Sequence, residues 1–125
     1  MNFQTLMVAT AIATIGFGVG FIIAPTSLGS LYGLSTNPTS EFALRMYATA
    51  LIGIGLLAWL IRQSQDREIQ KAVLFAFFVT DFGGFLVALF ANLAGMMNAL
   101  GWSLVVLLLL FSAAYTYLRF AKQST

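Results

Sequence analysis

The residue of this sequence best suited to chemistry is Asp81, an acid near the middle of the long apolar run Ala72 to Ala91. An ionised carboxylate at that depth of a bilayer would cost on the order of 2.5 to 3.5 kcal/mol. We therefore expect Asp81 to be paired with a cation, protonated or hydrated. It is either a proton or cation site or a neutral structural acid that hydrogen-bonds to a neighbouring helix. The second interpretation is favoured, because the same span offers only Thr80 and Asn92 as further polar groups for a relay.

Arg45 is the natural partner for Asp81, because no other cation lies inside an apolar run. At 1.5 Å per residue, Arg45 lies roughly 10 Å from the middle of its own run, so its side chain would have to reach inward. Two alternatives remain open for this guanidinium. It can pair with Glu41, one helical turn earlier, or extend to the lipid head groups at the outer surface.

The composition argues against an enzyme, since the chain contains no histidine and no cysteine. The usual nucleophile and base pairs cannot be assembled, and no two carboxylates are spaced for acid–base catalysis. The commonest metal ligand and axial haem ligand are also missing. We therefore expect no catalytic residue, no metal site and no cofactor. The twelve phenylalanines and the methionines leave open a pocket for a quinone, a pigment or a lipid, although ordinary packing is the favoured explanation.

The elements that must position these residues are four apolar runs. Hydrophobic residues make up 60% of the 125 residues, charged residues 8%, and the mean hydropathy is +0.93, which excludes an ordinary soluble domain. Each run is close to the roughly 20 residues that a spanning helix needs. The runs are Leu6 to Ala24, Phe42 to Ile61, Ala72 to Ala91 and Leu100 to Leu118. The predicted fold class is therefore all-α: an integral membrane, up-and-down four-helix bundle that forms a single domain over residues 1–125.

The basic residues predict the orientation of these spans. Alternation places five of them on one side of the membrane and only Arg45 on the other. The five are Arg62, Arg67, Lys71, Arg119 and Lys122. By the positive-inside rule, both termini are cytoplasmic, in a cell inner membrane. Because the six basic residues form no patch, we expect no nucleic-acid partner. Aromatic anchors are predicted at the two membrane interfaces: Trp59, Tyr115 and Tyr117 at the cytoplasmic one and Trp102 at the other.

Local signals predict where several helices begin. Between the first two spans, the segment 25–39 is either a short helical turn on the membrane surface or a plain loop. Ser40 is the predicted N-cap of the second spanning helix, with Glu41 in its first turn. The third spanning helix is predicted to begin near Asp66 and to pack antiparallel to the fourth, because the connection between them is short.

Small residues predict the packing faces, since they let helix backbones approach closely in lipid. On the first helix they recur at spacings of four, three and four residues. The predicted packing residues are Ala9, Ala13, Gly16 and Gly20 on the first helix, Thr49, Gly53 and Gly55 on the second, and Ala76, Thr80, Gly84, Ala88 and Ala91 on the third. The fourth helix, apolar all round from Leu104 to Phe111, is expected to face lipid or a partner. The stripes either hold one monomer together, which is favoured, or form a dimer face.

Several short motifs resemble those of a known group of proteins. They are Pro25, Leu31-Tyr32-Gly33, Arg45-Met46-Tyr47, the glycines Gly53 and Gly55, and Asn98-Ala99-Leu100-Gly101-Trp102. Over nearly the whole chain, the sequence resembles small uncharacterised bacterial four-helix membrane proteins of the DoxX-like type. The resemblance implies a compact bundle with a polar residue near the start of helix two, and it assigns no catalytic residue.

The function predicted from these observations is that of a non-enzymatic membrane interaction protein. It would be an accessory or assembly subunit of a larger membrane complex, or a homo-oligomer, whose partners are lipids and other membrane subunits or copies of itself. One alternative is a small transporter or proton/cation-conducting protein that uses Asp81 and Arg45. Another is a binding module for an apolar cofactor such as a quinone, pigment or lipid.

Overall fold

The fold consists of helices alone in residues 2–35 and 37–120, the part of the chain that the computed structural model describes. The helices are α1 (Phe3–Ile23), α2 (Pro25–Leu31), α3 (Pro38–Ile61), α4 (Arg67–Leu93) and α5 (Gly101–Phe120). Four of them, α1, α3, α4 and α5, are long and apolar enough to cross a membrane. The predicted all-α class and four long apolar helices are confirmed. Lys122, one of the predicted cytoplasmic cations, lies outside the described residues.

Helix α3 begins earlier than its apolar run, and its predicted cap was wrong. Asn37 is the N-cap: its side chain accepts a hydrogen bond from the Ser40 backbone N–H at 2.9 Å, and its own N–H donates to Ser40 Oγ at 2.8 Å. Pro38 occupies the first helical position, where its missing N–H is not needed and its fixed φ suits the helix. Ser40 is therefore the third helical residue and the return half of a capping box.

The connections on either side of α3 are also determined by local chemistry. Of the two predictions for segment 25–39, the short helix is confirmed, because α2 follows the break at Ala24 and starts with Pro25. Asp66 caps α4 by accepting a hydrogen bond from the Glu68 N–H at 3.0 Å, which confirms the predicted start. Each helix extends beyond or stops short of its apolar run by a few residues, since caps and not hydropathy determine where the backbone turns.

The described chain separates into two compact units, one of residues 3–63 and one that begins at Ser64. In the first unit α1 and α3 pack antiparallel. Gly18 of α1 lies against Ala48 and Ile52 of α3. Nearer the start of α1, Thr14 and Ile15 lie against Gly55. Helix α2 folds back on α1, because Leu28 lies over Gly20.

The small-residue stripe predicted on α1 does not coincide with the α1–α3 contact. A Cβ atom on Gly16 or on Gly53 would meet nothing within 4 Å, whereas Gly18, which the prediction omitted, and Gly55, which it included, lie at the contact. Ala9 is exposed and Ala13 is half-buried. Helix α1 carries small residues on several faces, and the register with α3 decides which of them are covered.

The second unit is the antiparallel hairpin of α4 and α5. Phe77 packs edge-on against Tyr115 with ring centroids 5.6 Å apart, and Gly84 lies against Leu108. Ala88, another predicted packing residue, is buried. Tyr115 is only 1% exposed, so it is a core residue and its prediction as an interface anchor was wrong. Trp59, Trp102 and Tyr117 are exposed.

Helix α5, expected to face lipid or a partner protein, also has a side that packs within the chain. Five of its residues form a buried side: Gly101, Val105, Ser112, Tyr115 and Leu118. The apolar composition of residues 104–111 concealed this side, because hydropathy does not vary around the helix there. The exposed side includes Val106, Leu109 and Leu110.

Candidate polar site on helix α4

A stripe of buried residues runs along α4, and Asp81 lies on it. Leu74, Phe77 and Ala88 are each buried, and Asp81 and Gly84 continue the same spacing of three and four residues. Asp81 itself is half-buried. Among the residues that the structure describes, its carboxyl group has no hydrogen-bond or ion-pair partner. The structure therefore places an uncompensated acid on the packed side of a membrane-length helix.

Two further polar residues share this stripe. Gln70 and Asn92 lie eleven residues before and after Asp81, and eleven residues correspond to about three helical turns. Both are buried at the two ends of α4. We call Gln70, Asp81 and Asn92 the polar stripe of α4. The spacing was visible in the sequence, but the burial that makes it meaningful was not.

The two ends of the polar stripe differ in their hydrogen bonding. Gln70 Nε2 donates to the Ser64 carbonyl oxygen at 2.8 Å, and Gln70 Oε1 accepts from Arg67 at 3.4 Å. Asn92 is 9% exposed, and neither its Nδ2 nor its Oδ1 has a partner within the described chain. Its carboxamide lies against the Cα of Gly101, where an added Cβ would come within 2.6 Å of Oδ1. The site is thus satisfied at its Gln70 end and unsatisfied at Asp81 and Asn92.

The chemistry available to this stripe is limited. Consecutive members are about 16 Å apart at 1.5 Å per residue, so a proton cannot pass directly from one to the next. Asp81 is the only titratable member and can bind one proton or one cation. In the described part of the chain, no three histidine, cysteine, aspartate or glutamate side chains cluster as a metal site would require.

Near the start of α3, the side chains of Arg45 and Glu41 both form hydrogen bonds within the first unit. Arg45 Nε donates to the carbonyl oxygen of Ile22, near the end of α1, at 3.3 Å. Glu41 Oε1 accepts a hydrogen bond from Thr26 Oγ1, in the first turn of α2, at 2.5 Å. Within the described residues the two side chains form no ion pair with each other. Both therefore join α3 to the α1–α2 corner.

Two arginines that the sequence identified only as topology signals join α4 to α5, and one of them, Arg67, caps helix α5. Arg67 Nη2 donates to the carbonyl oxygens of Leu118 and Arg119 at 3.2 and 2.9 Å. In return, Arg119 Nη1 donates to the Lys71 carbonyl oxygen at 2.6 Å. Positive side chains at a helix C-terminus satisfy its last carbonyls and its dipole. Sequence reasoning missed this clamp, because it depends on α4 and α5 meeting at this end.

An open groove of about 400 Å³ lies between α4 and α5. Its walls are almost entirely apolar. The lining residues are Phe78, Phe82, Leu109, Ser112, Ala113, Thr116 and Tyr117. Two of the three hydroxyl groups in this wall donate to backbone carbonyls, Ser112 Oγ to Leu108 at 2.8 Å and Thr116 Oγ1 to Ser112 at 3.0 Å, and the third belongs to Tyr117.

The four long helices are apolar enough to cross a membrane, which is typical of a helical membrane protein. Few of their side chains could take part in catalysis or bind a metal. The model of one family, described as a domain of unknown function, DUF8292, matches residues 8–123, so the chain belongs to the DUF8292 family. No curated protein and no solved structure matches the chain. The resemblance to DoxX-like proteins stays a prediction.

Proposed function

We propose that this chain is a non-enzymatic integral membrane protein that acts by lateral contact with other membrane helices. The partners are further copies of the chain or the subunits of a larger complex in which it is an accessory or assembly subunit. With little hydrophilic mass outside the four apolar helices, the sides of these helices are the main surface available for contact.

The observation that carries this proposal is an exposed stripe on α1 centred on Gly16. The stripe repeats at spacings of three and four residues, as at the seam of a left-handed helix pair. Its members are Ala9, Ile12, Gly16, Val19 and Ile23. Ile12 is 69% and Ile23 75% exposed, and Gly16 has open space around it. A helical glycine costs about 0.5–1 kcal/mol relative to alanine, and Gly16 neither makes a turn nor contacts a neighbour that would explain this cost. A partner helix seated on the stripe supplies the explanation.

The membrane topology belongs to the same proposal. Helices α1, α3, α4 and α5 cross an inner membrane in alternating directions, with both termini in the cytoplasm. Support comes from the charges: Arg62, Arg67, Lys71 and Arg119 lie at helix ends that alternation puts on one side, and Arg45 alone lies towards the other.

Cysteine cross-linking tests the lateral contact directly, because the native chain contains no cysteine. Ala9→Cys, Ile12→Cys and Gly16→Cys are placed on the stripe, and Leu60→Cys on α3, where Leu60 is 76% exposed, is the matched control. In oxidised native membranes we expect strong dimers, or adducts to another subunit, from the stripe variants and little from the control. Equal cross-linking at Leu60, or none at any position, would rule out a contact through this stripe.

A second candidate function, proton or cation conduction, is favoured by the unpartnered carboxyl group of Asp81 on the packed side of α4. In this function Asp81 is the binding group, and Arg45 positions α3 through the Ile22 carbonyl. Proteoliposomes that contain the native chain should show a flux that Asp81→Asn abolishes. Glu68→Gln, an exposed acid on the same helix, is the control and should leave the flux unchanged. A flux that survives Asp81→Asn, or none from the native chain, rejects conduction.

A further inference from the structure

Two basic residues, Lys71 and Arg119, meet where α4 begins and α5 ends. The guanidinium of Arg119 donates to the backbone carbonyl of Lys71 at 2.6 Å, which brings the Arg119 charge next to the residue that carries the Lys71 charge. Neither side chain forms an ion pair with a carboxylate in the part of the chain that the structure describes. The pair is therefore a concentration of positive charge without an internal counter-ion.

The Arg119 member of this pair lies over exposed aromatic side chains. The Arg119 guanidinium carbon lies 5.2 Å from the ring centroid of Phe75 and 5.8 Å from that of Phe120. Phe120 is 77% exposed, and Phe75 is also exposed. Cations that border exposed apolar rings are typical of the boundary between lipid tails and head groups.

The apolar groove lies further along the side of α4 that carries Lys71. Lys71, Phe75, Phe78 and Phe82 follow one another at spacings of four, three and four residues, so they lie along one side of α4. The last two line the groove. The Ser112 and Thr116 hydroxyls donate to backbone carbonyls, so the Tyr117 hydroxyl is the one remaining side-chain donor in a wall that is otherwise apolar. Such a wall suits a hydrocarbon chain and gives little to a polar cofactor ring.

We propose that the α4–α5 hairpin binds an anionic phospholipid, with its phosphodiester on Lys71 and Arg119 and one acyl chain in the groove. Charge complementarity selects this occupant. A phosphate accepts charge-assisted hydrogen bonds from a guanidinium and an ammonium, and a net negative head group leaves the two cations neutralised. A zwitterionic head group carries its own cation into the same positive field and binds less well. This inference is independent of lateral assembly through α1.

Lipid binding by the purified full-length chain tests the proposal. The probes are dioleoyl phosphatidylglycerol, dioleoyl phosphatidylcholine and water-soluble glycerol phosphate, and bound lipid is measured by native mass spectrometry. Lys71→Gln and Arg119→Gln should each lower the affinity for phosphatidylglycerol roughly fivefold. Ala113→Leu, which fills the groove, should lower the affinity for both lipids without affecting glycerol phosphate.

Arg62→Gln is the matched control. Arg62 also stacks on an aromatic ring, with its guanidinium carbon 3.8 Å from the Trp59 ring centroid, but it belongs to the other unit and is not one of the residues that line this groove. It should leave phosphatidylglycerol binding unchanged. If Arg119→Gln unfolds the hairpin, Lys71→Gln decides, because the Lys71 ammonium makes no hydrogen bond among the described residues. Equal affinity for the two lipids, equal losses in Arg62→Gln and Lys71→Gln, or glycerol phosphate binding as tightly as the whole lipid would each overturn the proposal.

Discussion

Gly18 of α1 lies directly against the backbone carbonyl oxygen of Ala48 in α3. A Cβ atom at Gly18 would come within 2.8 Å of that oxygen and within 2.7 Å of Ile52 Cγ1. The isoleucine side chain can rotate, but the carbonyl is part of a helix backbone and can move only if α3 moves. The absence of a side chain at Gly18 therefore sets how closely the two helices of the first unit approach each other.

The first prediction is that Gly18→Ala destabilises the protein, whereas Gly16→Ala does not. Overpacking at a close helix contact costs typically about 1–3 kcal/mol, and that loss is expected for Gly18→Ala. In the monomeric chain the added methyl at Gly16 meets nothing, so in dilute, monomeric protein the higher helix propensity of alanine gives a gain of up to about 1 kcal/mol. Reversible unfolding in mixed micelles measures both. Equal effects of the two substitutions would contradict a close approach of α1 and α3 at Gly18.

These two glycines also illustrate what the sequence alone could predict. The number and approximate ends of the long helices follow from hydropathy and from local caps such as Asp66, so they could be predicted from the sequence. The contact face was not, because Gly16, Gly18 and Gly20 point in different directions around α1 and only the register with α3 decides between them. The prediction for Tyr115 was wrong for a similar reason: its burial depends on a neighbouring helix. A tyrosine near a helix end is suited to the membrane interface or to the core, and Phe77 on the neighbouring helix decides.

The candidate site was predictable in part. Asp81 was identified from its type and depth, and Asn92 was noted on the same span. That Asn92 is buried without a partner follows from the approach of Gly101, a contact made across the α4–α5 turn that no local pattern encodes. The groove and the Arg67 clamp likewise depend on how α5 lies along α4.

The second prediction is that replacing Asn92 does not weaken the fold when the replacement is apolar. A buried donor and acceptor without partners cost about 1–3 kcal/mol, so Asn92→Leu should be neutral or stabilising. Asn92→Asp puts a carboxylate in the same position and should be strongly destabilising near neutral pH. Thermal unfolding of the purified variants compares them. A marked loss of stability in Asn92→Leu would contradict the absence of hydrogen-bond partners at this position.

The third prediction concerns the clamp on helix α5. Arg67→Gln removes the hydrogen bonds to the Leu118 and Arg119 carbonyls and the positive charge at the helix C-terminus. We expect faster amide hydrogen exchange in the last turn of α5 and a loss of about 1–2 kcal/mol in unfolding free energy. Lys71→Gln, one turn further along α4, removes an equal charge without a hydrogen bond and should leave the exchange unchanged. Similar exchange in both variants would mean that Arg67 contributes charge alone.

The fourth prediction tests the corner at the start of α3. The Thr26 hydroxyl donates a hydrogen bond to the Glu41 carboxylate at 2.5 Å. Because both groups are partly solvated, this bond should contribute about 0.5–1.5 kcal/mol to the free energy of unfolding. A double-mutant cycle with Thr26→Val and Glu41→Gln isolates that coupling from the individual effects. Coupling energies indistinguishable from zero would show that the bond does not hold α2 to α3.

Limited proteolysis offers a second measurement of the same contact. If either substitution loosens α2, the turn at Gly33 should become more exposed and be cut faster by a protease.

The fifth prediction is a dependence of stability on alkaline pH through Tyr32, which ends α2 outside the four long helices. Burial raises the pKa of the Tyr32 phenol above its ordinary value of 10.0. The folded chain therefore holds this proton more tightly than the unfolded chain. Its contribution to stability is complete below the unfolded-state pKa and is lost as the pH rises through the folded-state pKa. The unfolding free energy of the native chain should thus fall more steeply than that of Tyr32→Phe above about pH 10. Because lysines and the other tyrosines titrate equally in both proteins, the difference between the two curves reports on Tyr32, and parallel curves would contradict its burial.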